Sequence, residues 1–243
     1  MAALDNRMIP AWPTAAALNV AVDFPSGYHC EVLGADGVAH FIEQLRSCYP
    51  GIAVGGASCF LRNDFYADRV FFEEGADRDF FVIVFKHLDE WAGMLSVERD
   101  YDSQVLYGRV GTVAVAHRGA GLSKLFPSLL EAIALAIGTG LVYALATLKV
   151  PNIQVGFERA GWKLIGIMPG FDRELLGPGD VKRVYEAVYV KVLASESEFE
   201  HPTVDGLTPS TRAVFEHLFP GVLRASASTS YSAPSSIGDT HVS

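Results

Sequence analysis

Positive charge is scarce in this chain. Its 243 residues hold 19 Lys and Arg against 28 Asp and Glu, a net charge of −9. The basic residues form no cluster, which argues against nucleic-acid binding, because tracking a phosphate backbone takes grouped Lys and Arg. An acidic surface tolerates or weakly attracts cationic partners instead. Cysteine is sparse too. Cys30, Cys48 and Cys59 lie far apart, are odd in number and include no Cys-x-x-Cys pair. Neither a disulfide framework nor a metal site is predicted, and the three read as reduced core residues of a cytoplasmic protein. No leader is expected either: residues 1–19 lack a basic start followed by a long apolar run, and Pro10 and Pro13 interrupt them. One stretch, Leu129 to Leu148, carries only Glu131 as a charge and is long enough for a bilayer. Gly138-Thr139-Gly140 divides it into a helix and a short strand, so no membrane span is expected. No internal repeat is visible.

What the chain has in quantity is apolar residues, 50% of the total, enough for a globular core. Residues 1–27 read as an irregular arm with Pro10, Pro13 and Pro25. Strands are predicted at Tyr28–Leu33, Phe80–Lys86, Trp91–Glu98, Val105–Val115, Val142–Leu148, Trp162–Ile167 and Val181–Leu193, from β-branched and aromatic runs between turn residues. Helical spacing of Val38, Phe41, Ile42 and Leu45 predicts a helix over Ala35–Tyr49. Ala57–Glu73 reads as one or two short helices. Leu125, Phe126, Leu129, Leu130, Ile133 and Ile137 mark another helix, with Ser123 where an N-cap would sit. A helix also runs from Pro151 to a stop at Gly161. Pro169-Gly170 is a break and Phe171–Gly179 a loop. The resulting class is α/β (α+β mixed): a twisted mixed sheet of about seven strands flanked by helices. The main domain is assigned to residues 28–194, with a short C-terminal helix (Thr208 to Phe219) in segment 195–223. The Ser/Ala/Thr-rich residues 224–243 are predicted disordered.

The stretch that organises the rest is Val113-Ala114-Val115-Ala-His117-Arg118-Gly119-Ala120-Gly121-Leu122-Ser123-Lys124-Leu125-Phe126. A buried strand enters a glycine-rich turn and leaves as a helix. Free amides, no Cβ in the way and a guanidinium beside them make an anion site suited to phosphates. A dinucleotide fingerprint would need glycine at Lys124. A P-loop would need a Gly-Lys-Ser/Thr ending, which is absent. The plain alternative is a strand-to-helix turn whose glycines merely let the chain reverse.

The pattern Arg-x-x-Gly-x-small after a Val-x-Val strand, carried by Arg118, Gly121 and Ser123, resembles the acyl-CoA-binding signature of the GNAT superfamily of N-acyltransferases. The later run Pro151 to Gly166, a helix ending in Gly161 before Trp162, resembles that family's next block. Together the blocks cover Val105 to Gly166. The resemblance implies that the strand backbone at Val113, Ala114 and Val115 orients the pantetheine and thioester. It implies that the turn Arg118, Gly119, Ala120, Gly121, Leu122 and Ser123 holds the CoA pyrophosphate, with Asn152 near the cofactor. It also implies acetyl-CoA (or another acyl-CoA) as donor and a small amine or amino-acid-like compound as acceptor, and it is compatible with a homodimer. The central strand is expected to splay from its neighbour, with Gly108 and Gly111 marking a bulge or close approach.

Three departures stand out. Ser123 fills the position usually held by glycine or alanine, Pro127 lies early in the following helix, and Phe157 stands where many members carry a proton-donating tyrosine. A phenyl ring has no proton to give. An amine with pKa about 10 arrives mostly as ammonium, so the reaction needs a base. Glu98, closing the strand before the central one, and Tyr107, on the central strand, are the candidates beside the gap. The run Glu73, Glu74, Asp77 and Asp79 reads either as a cation-attracting rim or as a solvated turn, and His117 either lines the phosphate site or sits at the surface. The function read from this is transfer of an acyl group from acyl-CoA to a primary amine. The alternatives are a non-catalytic acyl-CoA-binding module, motivated by Phe157, and a long-chain N-acyltransferase, motivated by small wall residues such as Gly111, Ala144 and Ala146.

Overall fold

The run Phe80-Phe-Val-Ile-Val-Phe85 sets the layering. Phe81, Ile83 and Phe85 enter one hydrophobic cluster, while Phe80, Val82 and Val84 enter another. A strand apolar on both faces must be covered on both, and helices supply the cover. The computed structural model describes residues 10–73 and 75–224. It comprises two units, residues 1–195 and 196–243.

The first unit contains strands β1 (Tyr28–Val32), β2 (Phe80–His87), β3 (Glu90–Asp100), β4 (Val105–Val113), β5 (Leu141–Thr147), β6 (Lys163–Gly177) and β7 (Asp180–Val192). They form one mixed seven-stranded sheet in the order β1-β2-β3-β4-β5-β7-β6. Neighbours are antiparallel except β4 and β5, which are parallel. Helices α1 (Ala15–Ala21), α4 (Phe126–Ala136) and α5 (Asn152–Arg159) cover the Phe81 face, and α2 (Val38–Cys48) and α3 (Asn63–Arg69) cover the Phe80 face. In the second unit, Thr208 caps helix α6 (Pro209–Leu218), its hydroxyl accepting from the Thr211 amide at 3.2 Å.

The sheet opens at its centre. β4 pairs with β5 only from Val105–Gly108 against Leu141–Ala144, although β4 continues to Val113 and β5 to Thr147. Arg109 is the extra residue of a bulge, since Ser96 pairs with Val110 and Val97 with Gly108. The buried Ser96 hydroxyl repairs the ladder there, accepting from the Val110 amide at 3.1 Å and donating to its carbonyl at 3.3 Å. Gly111 admits the Phe126 ring, which a Cβ at that position would meet at 2.6 Å.

Three expectations need correction. The irregular arm of residues 1–27 contains α1, capped by Thr14, whose Leu18 is buried. Trp12 stacks on Phe81 at 5.0 Å and donates to the Arg78 carbonyl at 2.8 Å, so Pro10 and Pro13 lead into a packed element. The loop expected over Phe171–Gly179 is mostly strand: β6 runs to Gly177, and three register irregularities against β7 hide its period. Ser123 does not cap α4. It lies in the 3-10 turn Leu122–Leu125, and the helix starts at Phe126. Pro127 thereby falls in the first turn, where no backbone N–H is needed. Of the tail predicted disordered, residues 225–243 lie outside the described residues, as does Glu74. Among the described residues, no helix is long and apolar enough to cross a membrane.

Candidate functional site

The opening between β4 and β5 is part of a cleft of about 630 Å³. One end is made by backbone. Gly119 and Gly121 adopt φ of +90° and +93°, a region costly for residues with a Cβ, and nothing lies within 4 Å of where a Cβ would stand. The amides of Arg118, Ala120 and Lys124 bond to the carbonyls of Val115, His117 and Gly121. Those of Gly119, Gly121, Leu122 and Ser123 have no hydrogen-bond partner among the described residues. Their residues line the cleft together with Arg118, and free amides in the company of a guanidinium bind anions.

The β4 backbone continues the polar lining. The amides of Val110 and Ala114 are directed at β3, bonding Ser96 Oγ and the Ala92 carbonyl. Strand alternation therefore turns the N–H groups of Gly111 and Val113 the other way, toward the opening.

The other end is made by side chains. Tyr107 and Arg109 come from β4, Lys149 follows β5, Asp172 and Glu174 come from β6, Glu186 from β7, and Tyr49 follows α2. Register places Asp172 opposite Val184, two residues from Glu186, so the carboxylates share a face. Burial, then the nearby Asp172 charge, push the Glu186 carboxyl up to about 7. Burial raises the Tyr107 phenol well above its ordinary value, against a smaller opposing pull from Arg109. Tyr107 is held by stacking on Tyr143 (centroids 4.5 Å apart, 4° between planes), with the Arg109 guanidinium 4.8 Å above its ring. Glu174, 5% exposed, pairs with Lys149 and accepts from the Tyr49 hydroxyl at 3.2 Å. Asp172 Oδ1 accepts from the Gly56 and Arg173 amides at 2.7 and 2.8 Å, fixing β6 to the loop before Phe60.

Of the residues singled out in sequence, Tyr107, Val113, Arg118, Gly119, Gly121, Leu122, Ser123 and Asn152 line this cleft. Ala114, Val115 and Ala120 do not: Ala114 packs on the Phe80 side, Val115 is 65% exposed, and the Ala120 amide is spent on His117. Glu98 does not line it either. Its carboxylate lies between Arg69 and Arg109 at 3.6 and 3.5 Å. His117 lines the cleft and is buried, its Nδ1 3.1 Å from the Tyr28 hydroxyl and its Nε2 3.8 Å from Glu90. Asp77 of the acidic run pairs with the buried Arg99 at 2.5 Å. Cys48, expected in the core, lines the cleft, and burial raises its thiol. Phe157 also lines the cleft, its ring packed between Trp162 and Tyr189 at 4.8 and 5.3 Å. The helix behind it ends in a Schellman motif, with Trp162 N–H bonding the Phe157 carbonyl and Gly161 N–H that of Glu158. Sequence reading missed Glu186, Asp172, Glu174 and Lys149. For Glu186 one signal was present: it is the only carboxylate in the run Val181–Leu193. Among the described residues, no His, Cys, Asp or Glu side chains gather as a metal site.

No protein family and no curated sequence matches the chain, but solved structures do. Spermidine N-acetyltransferase from Vibrio cholerae, in complex with CoA and spermine, superposes with a TM-score of 0.53 at 11% identity, over 69% of this chain and 96% of that one. The ribosomal L7/L12 α-N-protein acetyltransferase RimL, in complex with coenzyme A, gives 0.54 at 10% identity, over 71% and 97%. The fold is that of the GNAT acetyltransferases. A dodecameric form of the Vibrio cholerae spermidine N-acetyltransferase matches as well, at a TM-score of 0.52 and 13% identity over 69% of this chain and 95% of that one. At these identities the GNAT likeness concerns the fold.

Proposed function

We propose that the protein is an acyl-CoA-dependent N-acyltransferase that moves an acetyl or similarly short acyl group to a primary amine. The observation that carries this reading is the opening between β4 and β5 running into the glycine turn within one cleft. The amides of Gly119, Gly121, Leu122 and Ser123, with Arg118, hold the CoA pyrophosphate, and Asn152 at the start of α5 lies beside the cofactor. Pantetheine extends along the backbone edge that β4 leaves unpaired. The Gly111 N–H meets the thioester carbonyl and the oxyanion that forms from it, and the Val113 N–H, about 6.6 Å further along the same edge, meets the pantetheine. The Phe126 ring fills the space beside Gly111, which favours a short acyl group over a long chain. The residues present thus fit acyl-CoA, which supplies the activated acyl carbon.

The acceptor enters from the β6–β7 end. Asp172 and Glu186 remain there once Lys149 is paired with Glu174 and Arg109 with Glu98, so a cationic amine is favoured. The Vibrio cholerae neighbour is in complex with CoA and spermine, an anionic donor and a cationic acceptor of the kinds proposed for this cleft. The test is thiol release from acetyl-CoA against a panel of primary amines. Amine-dependent release supports the reading. Binding of acyl-CoA without release for any amine would replace it by the non-catalytic module, which the buried Phe157 favours.

A further inference from the structure

The acyltransferase reading leaves two protons without a carrier. The incoming ammonium must lose one before it attacks, and the departing thiolate must gain one. Phe157, at the position where the resemblance places a tyrosine, is 3% exposed between Trp162 and Tyr189 and has no exchangeable proton. Glu98 is engaged by Arg69 and Arg109 and stands outside the cleft. Phe157 lines the cleft but can give no proton, and Glu98 lies outside it, so neither carries a proton in the transfer.

Two other groups flank the opening from either side. Tyr107 lies on β4 immediately before Gly108, where the ladder with β5 ends. Glu186 lies on β7 opposite Thr147, the last residue of β5. Both line the cleft, and the two interact electrostatically with each other and with Asp172. We propose that Glu186 is the general base of the transfer and that Tyr107, a candidate base in the sequence, is its general acid. This rests on the acyltransferase reading.

The protons and bonds balance. Glu186 takes one proton from the ammonium. The freed lone pair forms the C–N bond to the thioester carbon, and the carbonyl π pair moves onto oxygen, facing the Gly111 amide. That pair returns as the C–S bond breaks. Tyr107 gives its proton to the departing sulfur, and the tyrosinate is refilled by the proton that the new amide nitrogen sheds. Glu186 then releases its own proton to solvent. The environments separate the two roles in the required sense. Burial and the Asp172 charge raise Glu186 to about 7, so it is both available and basic near neutrality. Burial keeps Tyr107 protonated throughout that range. The charged or titratable groups facing Glu186 are Asp172 and Glu174 from β6, Tyr107 and Arg109 from β4, Lys149 after β5 and Tyr49 after α2.

The experiment measures kcat/KM against pH for the wild type, Glu186→Gln and Tyr107→Phe, using acetyl-CoA and the best amine of a panel. The wild type should show an acid limb near pH 7 that rises as Glu186 ionises. Glu186→Gln should lose that limb and fall about 10²- to 10⁴-fold, the usual contribution of acid–base catalysis, with acetyl-CoA affinity unchanged. Tyr107→Phe should fall while keeping the acid limb. A second readout needs no turnover: side-chain carbonyl ¹³C signals of glutamate, followed against pH, should show one carboxyl titrating near 7 that is missing in Glu186→Gln. Wild-type rate and limb retained in Glu186→Gln would overturn this assignment while leaving the transferase intact. Absence of thiol release from the wild type with every amine would overturn the transferase reading, and this assignment with it.

Discussion

The two ends of the cleft are built from different materials. At the glycine turn the lining is main chain: four unspent amides, two left-handed glycines and one guanidinium. At the β6–β7 end it is side chain, with Tyr49, Tyr107, Asp172, Glu174 and Glu186 brought from separate elements. Main-chain geometry is set locally, by which residues tolerate a positive φ and which lack a Cβ. Side-chain chemistry is set by what the sheet order places alongside. The first kind of site binds a constant group such as a pyrophosphate. The second can change its acceptor with a few substitutions and leave the fold as it is.

Substitutions can test that division. The largest effect is expected where both ends depend on the opening itself. Gly111→Leu would drive a side chain into the Phe126 ring, and overpacking of this kind costs about 3 kcal/mol. Thermal unfolding should show it, and acetyl-CoA binding should weaken as well. Arg118→Ala should weaken only the cofactor end, by roughly 2 kcal/mol as expected for hydrogen bonds to a charged group, with amine preference unchanged. An altered amine preference would break the separation of the ends. Phe157→Tyr should cost about 1–2 kcal/mol of stability through a buried hydroxyl and bring no gain in kcat, because the ring, although it lines the cleft, is buried between Trp162 and Tyr189 and Tyr107 already supplies the proton. A rise in kcat would return the acid role to that position. Smallest of all, Glu98→Gln should leave kcat/KM within about twofold, since partly exposed ion pairs contribute roughly 0–1 kcal/mol.

The same division explains what the sequence disclosed. Phe80–Lys86 and most of Val105–Val115 were legible because continuous β-branched and aromatic runs leave few alternatives, although β4 ends at Val113 and Val115 opens a 3-10 turn. The turn at Gly119 and Gly121 was legible because a positive φ must be written locally, in glycines. Gly111 pointed to close approach, though not to Phe126 as the group that approaches. Glu186 was hidden for a physical reason: its raised carboxyl comes from burial and from Asp172 on a different strand, and nothing in residues 181–193 encodes that neighbour. Glu98 misled for the same reason. Strand alternation puts it on the face of Ser96 and Met94, but Arg69 reaches it from α3, a contact no spacing along β3 reveals. In the arm, Pro10 and Pro13 suggested irregular chain, whereas the Thr14 cap and the stacking of Trp12 on Phe81 hold it in place.

The measurement that bears most directly on the account is a calorimetric titration of the purified protein with acetyl-CoA, the Arg118→Ala variant beside it. Saturable binding that falls at least about tenfold in the variant is the predicted result, one decade being about 1.4 kcal/mol. At about 100 times its dissociation constant, the ligand should add roughly 2.7 kcal/mol to wild-type stability. No binding of acetyl-CoA, free CoA or a longer acyl-CoA would contradict the account, and the four amides beside Arg118 would then mark only a turn.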